Sequence, residues 1–293
     1  MSKLILGTVQ FGLDYGINNS EGKPSFDEVI KILDGAAESG IEELDTAEVY
    51  GDAHRIIGAY HKISDNVFKI ITKFNSNQTE LPSSITERIE KHMDDLHIPS
   101  IEGFMYHSFN DYKDFFPQHQ FDILHLKSIG KIKSIGVSLH SNEELLNVVE
   151  NPDIDFIQLP FNLLDNSNQR REALIHAKKN GKKIHVRSVF LQGLFFKNPE
   201  LLTGNLTMLK KYLKQIQKFT DASDYSIEEI AFNYAYHQQY IDKIAFGVQT
   251  LEQLNANLKM LTDNPNDFNG LFNKIETIHV EEVSLLNPAS WQK

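Results

Sequence analysis

The fold is decided by the stretch that runs from Lys133-Ser-Ile-Gly-Val-Ser138 to Asp155-Phe-Ile-Gln-Leu-Pro160. Both runs are short and apolar at most positions, as expected for strands that are covered on both faces. Between them, Ser141-Asn-Glu-Glu144 has the serine and glutamate spacing of a capping box, which begins a helix. A strand, a helix and a second strand in this order predict a right-handed βαβ unit in a parallel sheet.

The same alternation extends along the rest of the chain. Four more capping patterns begin at Ser25, Ser84, Ser226 and Thr250, and Gly40, Gly130 and Gly181 stand where helices are expected to end. Six more runs of the strand type are Leu4–Val9, Ile41–Thr46, Val67–Phe74, Glu102–Tyr106, Lys183–Phe190 and Lys243–Val248. Eight units without a Pro/Ser-rich linker predict one domain over residues 1–293, a (β/α)8 TIM barrel of the α/β class.

The rival architecture is an open doubly wound sheet. Such sheets usually carry a G-x-G-x-x-G phosphate loop after the first strand, and Gly7-Thr-Val-Gln-Phe-Gly12 lacks that spacing. Asp263–Gly270 is expected to form the loop that leaves the last barrel helix, and Leu271–Leu286 a C-terminal extension.

Composition excludes several classes of function. With 29 Lys+Arg against 40 Asp+Glu the net charge is −11, which argues against a nucleic-acid partner. The 12 histidines show no H-E-x-x-H spacing and there is no cysteine, so no metal site is expected. No apolar stretch reaches the roughly 18 residues of a membrane span, and Met1–Val9 does not resemble a signal peptide. We therefore expect a cytoplasmic protein away from membranes; oligomeric state has no sequence signal.

Polar side chains follow three successive predicted strands. Asp45, Lys73 and His107 stand at the carboxyl ends of strands two, three and four, where barrel sites lie. Tyr50 is five residues past Asp45, close enough for a loop to bring it over the barrel mouth. A tyrosine has a pKa of about 10 and is a poor acid unless a nearby ammonium depresses that pKa. Asp45, Lys73 and Tyr50 would form such a relay, and His107 would hydrogen-bond a carbonyl oxygen.

These residues belong to blocks that resemble the aldo-keto reductase family in order along the chain. The D-T-A-x-x-Y-G block is the most specific of them, and the first block continues as in a bacterial branch often associated with sugar or polysaccharide metabolism. The matching blocks are Leu6-Gly-Thr-Val-Gln-Phe-Gly12, Leu44-Asp-Thr-Ala-Glu-Val-Tyr-Gly51, Ile71-Thr-Lys-Phe74, Tyr106-His107, Ile135-Gly-Val-Ser138, Phe156-Ile-Gln-Leu-Pro160, Val186-Arg-Ser-Val-Phe-Leu-Gln-Gly-Leu194 and Phe246-Gly-Val-Gln-Thr-Leu-Glu-Gln-Leu-Asn-Ala-Asn257.

The resemblance implies a barrel that reduces a small carbonyl compound, by analogy a sugar-derived one, with NADPH or alternatively NADH. It implies that Tyr50 is the general acid, that Asp45 and Lys73 tune it, and that His107 orients the carbonyl. The implied cofactor-binding residues are Thr8 and Asp45, Ser138 and Gln158 at the nicotinamide carboxamide, Arg187 against the ring, Ser188, Gln192 and Gly193 at the pyrophosphate, and Gly247, Gln249, Thr250, Gln253 and Asn257 at the adenosine phosphate.

The chain departs from the family pattern at three positions. Leu139 stands where many members carry an asparagine, and Arg187 where an aromatic ring commonly stacks on the nicotinamide. Gln249 replaces a cation that commonly binds the 2′-phosphate, which predicts weak discrimination between NADPH and NADH. Two other functions stay open: a cofactor-binding regulatory barrel with little turnover, and a lyase that forms a Schiff base on Lys73.

Overall fold

Eight parallel strands form a closed barrel in the computed structural model, which describes residues 3–17, 19, 22–264 and 268–291. Each strand pairs with the next along the chain, and pairing of the first strand with the last closes the barrel. The (β/α)8 prediction is confirmed. The strands are β1 Leu4–Gly7, β2 Glu43–Asp45, β3 Lys69–Phe74, β4 Ile101–Tyr106, β5 Ile132–Ser138, β6 Phe156–Pro160, β7 Lys183–Arg187 and β8 Lys243–Gly247.

Helices connect the strands and surround the barrel. Short 3₁₀ segments follow β7 at Leu191–Phe196, Pro199–Leu201 and Gly204–Leu209. The α-helices of the described residues are α1 Val9–Gly12, α2 Phe26–Glu38, α3 Ala53–Ile63, α4 Ile85–Leu96, α5 Phe109–Ser128, α6 Asn142–Val148, α7 Ser167–Lys179, α8 Lys210–Asp221, α9 Ile227–Tyr236, α10 Leu251–Lys259 and α11 Asn269–Ile275.

Helix starts and ends follow the local chemistry of the sequence. All five predicted hydroxyls accept a bond from the backbone N–H three residues on, although the reciprocal glutamate bond of a full capping box forms only at Ser141 and Ser226. The predicted helix-ending glycines adopt left-handed backbone, with φ of 76° at Gly40, 79° at Gly130 and 75° at Gly181. Glycine pays no steric penalty in this region, so each helix can turn directly into the next strand.

The apolar core has two parts, one on each side of the strands. The larger packs the outer strand faces against the helices, and a smaller cluster fills the barrel interior with Ile5, Ile71, Met105, Phe156 and Ala245. A Cβ built on Gly136 would lie 2.4 Å from the ring of Phe156, so glycine on β5 makes room for that ring. The interior is a packed core, and this leaves the strand ends as the place for a site.

Most predicted strands differ from the observed ones by one or two residues at an end, and two predicted segments differ more. The strand predicted over Lys183–Phe190 stops at Arg187, because Ser188 has a φ of 61°, which takes the backbone out of the extended region. Helix α11 begins within the loop predicted over Asp263–Gly270, of which residues 265–267 lie outside the described residues. Beyond α11 the chain packs against the barrel, as Asn166 Nδ2 donates to the carbonyl oxygens of Ile275 and Ile278 at 3.0 Å.

Two further properties concern the described part of the chain only. None of its helices combines the length and the apolarity that crossing a membrane requires. Within the same residues, no cluster of three or more His, Cys, Asp or Glu side chains could hold a metal ion.

Thermal unfolding is expected to be one cooperative transition. The larger apolar cluster runs from Leu4 to Trp291 and connects both halves of the barrel, so neither half keeps a complete core by itself. Circular dichroism and tryptophan fluorescence, which follows Trp291 near the C-terminus, should give coincident transitions. Two separated transitions would contradict a single domain.

Candidate active site

The carboxyl ends of β2, β3 and β4 bring the predicted catalytic residues to one mouth of the barrel. Asp45 is the last residue of β2, Lys73 the second-last of β3, and His107 follows β4 directly. Parallel pairing aligns these ends: the amide of Thr46 donates to the carbonyl of Ile71, and that of His107 to the carbonyl of Phe74. The alternation of strands and helices therefore gathers residues that lie more than twenty positions apart in sequence.

Asp45 and Lys73 form a buried ion pair at the centre of the mouth. Their side chains are 7% and 1% exposed, and Lys73 Nζ donates both to the Asp45 carboxylate and, at 3.0 Å, to the carbonyl of Thr46. The other carboxylate oxygen accepts from Gln158 Nε2 at 2.7 Å. Burial lowers the pKa of Lys73, while the Asp45 charge works in the opposite direction. The pair holds the ammonium in a fixed position.

Tyr50 extends over this pair. Its hydroxyl is 3.5 Å from Lys73 Nζ, and its ring meets that of His107 edge-on with the ring centroids 6.0 Å apart. Burial raises the pKa of Tyr50, the Asp45 charge adds to the rise, and Arg187 opposes it. The depressed pKa expected from the ammonium is therefore wrong for this structure, because burial and the charge of Asp45 outweigh the charge of Arg187. The phenol is neutral at pH 7 and carries a proton to donate.

His107 is also neutral. Burial is the main cause that lowers its pKa to about 3, and the charges of Lys73 and Arg187 add to the effect. Its Nδ1 atom is buried and has no hydrogen-bond partner within the part of the chain that the structure describes. A neutral imidazole donates from only one nitrogen, so it can hydrogen-bond a carbonyl oxygen without competing as a strong acid.

The loop that carries Tyr50 is held from below by Glu48, a residue that sequence reasoning did not single out. Its fully buried carboxylate accepts from Arg88 Nε at 2.6 Å, from His92 Nε2 at 2.7 Å and from the amide of Asn75 at 2.7 Å. Arg88 binds it through two nitrogens, which fixes orientation as well as distance. The sequence contained only the D-T-A-E block as a sign that Glu48 matters, because its partner Arg88 lies 40 residues further along the chain.

The same loop is fixed from above by a close backbone contact. A Cβ built on Gly12 would lie 1.6 Å from the carbonyl oxygen of Tyr50. A Cβ on Gly51, whose φ is 54°, would lie 2.5 Å from the carbonyl oxygen of Gly12. Neither position has room for a side chain, so the first and second βα loops touch through their main chains.

The residues predicted for a nicotinamide carboxamide lie beside Asp45. Ser138 and Gln158 are register partners on β5 and β6, and both are buried. Gln158 Nε2 donates to the Asp45 carboxylate. The Oε1 atom of Gln158 is buried without a partner among the described residues, so it can accept a hydrogen bond from a carboxamide. Thr8 donates to the carbonyl oxygen of Asp45 at 3.0 Å and so braces β2. These residues fit the expected group.

The segment after β7 holds the residues predicted for a pyrophosphate. Positive φ values of 61° at Ser188 and 53° at Gln192 bend the chain, and buried Gly193 follows with a φ of 87°. Gln192 Nε2 donates to the hydroxyl of Tyr15 at 2.7 Å, which links this segment to the first βα loop. Tyr15 is a second residue of the mouth that the sequence gave no reason to select.

The start of α10 holds the residues predicted for the adenosine phosphate, and three backbone N–H groups there already have side-chain partners. Thr250 Oγ1 accepts from the amide of Gln253, and Gln253 Oε1 from that of Gln249. The amide of Leu251 donates to the carboxylate of Glu28 on α2 at 2.9 Å. Gly247 precedes this turn on β8, and Asn257 lies one helical turn past Gln253. Glu28 therefore places a negative charge where an anion was expected.

A closed parallel eight-stranded barrel with a buried Asp–Lys pair under a neutral tyrosine at its mouth belongs to the (β/α)8 barrel class of α/β proteins. The chain belongs to the aldo/keto reductase family, whose model matches residues 3–269. It is therefore an oxidoreductase that depends on a nicotinamide cofactor and acts on small-molecule carbonyl substrates. No curated protein sequence matches it significantly.

Solved structures share the barrel. The aldo-keto reductase AKR11C1 from Bacillus halodurans, in its holo form, aligns with a TM-score of 0.76 at 20% identity, over 96% of this chain and 94% of that one. The glycerol dehydrogenase AKR11B4 from Gluconobacter oxydans aligns with a TM-score of 0.70 at 20% identity, over 96% and 93%. An aldo-keto reductase from Pseudomonas aeruginosa aligns with a TM-score of 0.62 at 22% identity, over 88% and 89%. These similarities support the fold.

Proposed function

We propose that this protein reduces an aldehyde or ketone to an alcohol and that Tyr50 donates the proton. The observation that carries the proposal is the neutral phenol of Tyr50, which lies 3.5 Å from the buried ammonium of Lys73 and edge-on to His107. A proton donor next to a fixed cation is what a developing alkoxide requires.

Each residue of the site has its own role in the proposed reduction. A reduced nicotinamide, when bound, would be the source of the hydride for the carbonyl carbon. His107 and Tyr50 hydrogen-bond the carbonyl oxygen and hold it in place, and Tyr50 then gives that oxygen its proton. Lys73 stabilises the phenolate left on Tyr50, and Asp45 keeps the ammonium in position. Ser138 and Gln158 would hold the carboxamide of the cofactor, because Gln158 Oε1 is free to accept.

The first experiment is a measurement of cofactor affinity. Fluorescence titrations of the purified chain with NADPH and NADH should show binding of at least one of them, and a panel of aldehydes and ketones, sugar-derived compounds included, should then be screened with that cofactor. Failure of both cofactors to bind would contradict the proposal.

We place the reaction in the cytoplasm, in keeping with a chain that has no cysteine.

Cofactor choice is expected to be weak, with NADPH favoured over NADH by no more than about tenfold. The 2′-phosphate would meet the neutral amides of Gln249 and Gln253, and the carboxylate of Glu28, which the bond from Leu251 helps to keep ionised by lowering its pKa. Glu28→Gln and Gln249→Arg should each raise the NADPH affinity several-fold and leave the NADH affinity unchanged.

The matched control for this prediction is Glu252→Gln. Glu252 is exposed in the first turn of α10, so its replacement removes the same charge from the same helix start while the bond between Glu28 and the Leu251 amide stays intact. Glu252→Gln should change the ratio of the two dissociation constants less than Glu28→Gln does. A parent protein that already prefers NADPH several hundredfold would show that another cation binds the phosphate.

A second candidate function is a lyase that forms a Schiff base on Lys73. The observation in its favour is that burial lowers the pKa of Lys73, and Schiff-base lysines must be partly neutral. Against it, Asp45 is bonded directly to the ammonium and favours the charged form. Borohydride added during turnover would trap substrate on Lys73 if this function were correct, whereas a reductase leaves Lys73 unmodified.

A further inference from the structure

The barrel mouth contains an arginine that has no counterion among the residues that the structure describes. The chain has five arginines, all within the described residues, and four of them pair with carboxylates: Arg55 with Asp52, Arg88 with Glu48, Arg170 with Asp165 and Arg171 with Glu276. Arg187, the last residue of β7, has no carboxylate within 4.0 Å among those residues. Burial lowers the pKa of Arg187, but a guanidinium stays charged in proteins, so this cation has no counterion within the described ranges.

The neighbours of Arg187 are neutral groups at long distances. Its guanidinium lies 3.4 Å from Ser188 Oγ, 3.5 Å from the carbonyl oxygen of Leu139 and 3.3 Å from His140 Nε2. Optimal N–H···O bonds are about 2.9 Å long. Burial and the charge of Arg187 hold the pKa of His140 near 4, so this ring is neutral at pH 7. The planar fork of Arg187 therefore has donors to offer to a ligand.

The two carboxylates whose charges act on Arg187, those of Asp45 and Asp165, are each paired with another cation. Asp45 and Lys73 neutralise each other, and both oxygens of Asp165 are bonded to Arg170. Neither of these carboxylates therefore neutralises Arg187, in a chain whose net charge is −11. The charge of Arg187 lowers the pKa of the proton donor Tyr50 and that of His107. An isolated cation beside the reacting groups, in an acidic protein, indicates a site for a negatively charged ligand.

We propose that Arg187 binds a carboxylate carried by the carbonyl substrate, so that the substrate class is the oxo acids and aldehyde acids. The inference rests on the proposed reductase function and specifies the class of its substrate. A carboxylate matches the two parallel N–H groups of the guanidinium fork. The resemblance instead places Arg187 against the nicotinamide, but there its charge would repel the oxidised ring.

The pyrophosphate of the cofactor also presents anionic oxygens that a guanidinium could bind. The experiment therefore distinguishes a substrate carboxylate from the cofactor pyrophosphate as the ligand of Arg187. The probes are 4-formylbenzoate and its neutral isostere 4-formylbenzamide. The parent should use the acid with a kcat/KM about tenfold or more above that of the amide, mainly through a lower KM. In Arg187→Gln the ratio of the two kcat/KM values should fall to about one. Loss of the Arg187 charge also acts on Tyr50 and His107, but that effect is common to both probes and cancels in the ratio.

Two variants serve as controls. Arg171→Gln removes the same type of cation from an exposed ion pair with Glu276 and should leave the acid-to-amide ratio unchanged. Arg187→Lys keeps the charge without the planar fork and should retain part of the preference. If Arg187→Gln fails to fold by circular dichroism, a fall of the preference in Arg187→Lys still supports the proposal, and an unchanged ratio there would overturn it.

The remaining outcomes distinguish the proposal from its premise. Equal use of the two probes by the parent would overturn the carboxylate site and leave the reductase function standing. A loss of NADPH affinity of more than tenfold in Arg187→Gln, with the acid-to-amide ratio preserved, would assign Arg187 to the cofactor and also overturn it. If the parent reduces neither probe, calorimetric affinities for benzoate and benzamide, in parent and Arg187→Gln, decide the carboxylate site independently of turnover.

Discussion

Replacement of Tyr50 by phenylalanine is expected to lower kcat by about 10²-fold or more and to leave cofactor affinity nearly unchanged. The phenylalanine ring keeps the edge-on packing against His107, and only the hydroxyl 3.5 Å from Lys73 is lost. Without that hydroxyl the developing alkoxide has no proton donor next to a cation. Steady-state kinetics with any carbonyl compound that the parent reduces, together with an NADPH titration, measure both quantities.

The control for this prediction is Tyr15→Phe. Tyr15 lies in the same mouth, where its hydroxyl accepts from Gln192, and burial raises its pKa, so it is the other phenol that could donate there. Its loss should lower kcat far less than the loss of Tyr50. Equal activity of Tyr50→Phe and the parent would rule out Tyr50 as the acid, and a larger defect in Tyr15→Phe would transfer the role to Tyr15.

Replacement of Lys73 by methionine is expected to abolish most turnover and to lower the free energy of unfolding by about 3–5 kcal/mol. Methionine fills a similar volume but leaves the carboxylate of Asp45, 7% exposed, with only Gln158 as a side-chain partner among the described residues. A buried charge that has lost its counterion is costly because neither water nor an opposite charge compensates it. Urea denaturation and steady-state kinetics measure the two effects.

The double variant Asp45→Asn, Lys73→Met separates the two effects. It removes both charges, so a large part of the lost stability should return, although turnover should stay low because Tyr50 has no neighbouring ammonium. If the double variant is as unstable as Lys73→Met, the cost lies in packing and not in the unpaired carboxylate. Parent-like turnover in Lys73→Met would contradict the role of Lys73 beside Tyr50.

Local sequence signals were sufficient for the barrel and for the centre of its site. Each strand is a short apolar run, and each of the five predicted helix starts has a hydroxyl that accepts from the amide three residues on, so these elements depend on nearby atoms. In a closed parallel barrel the strand ends must meet, and this topology alone brings Asp45, Lys73 and His107 together.

What the sequence could not indicate are contacts made by side chains far apart in the chain. Glu28 has a capping position in its own helix, yet its carboxylate binds the amide of Leu251, 223 residues away. The burial that raises the pKa of Tyr50 is likewise a property of the assembled mouth, so the sign of that shift was wrong in the prediction. The missing counterion of Arg187 could be recognised only when every nearby carboxylate had been located.

The contact between Gly12 and the Tyr50–Gly51 peptide has a consequence for protein engineering. Because two main chains touch there with no space for a side chain, the first and second βα loops are one structural module. Loop grafts that exchange substrate range between related barrels should transfer these two loops together, with both glycines. A graft of only one of these loops would displace the hydroxyl of Tyr50 from its position beside Lys73, even if every transplanted side chain were correct.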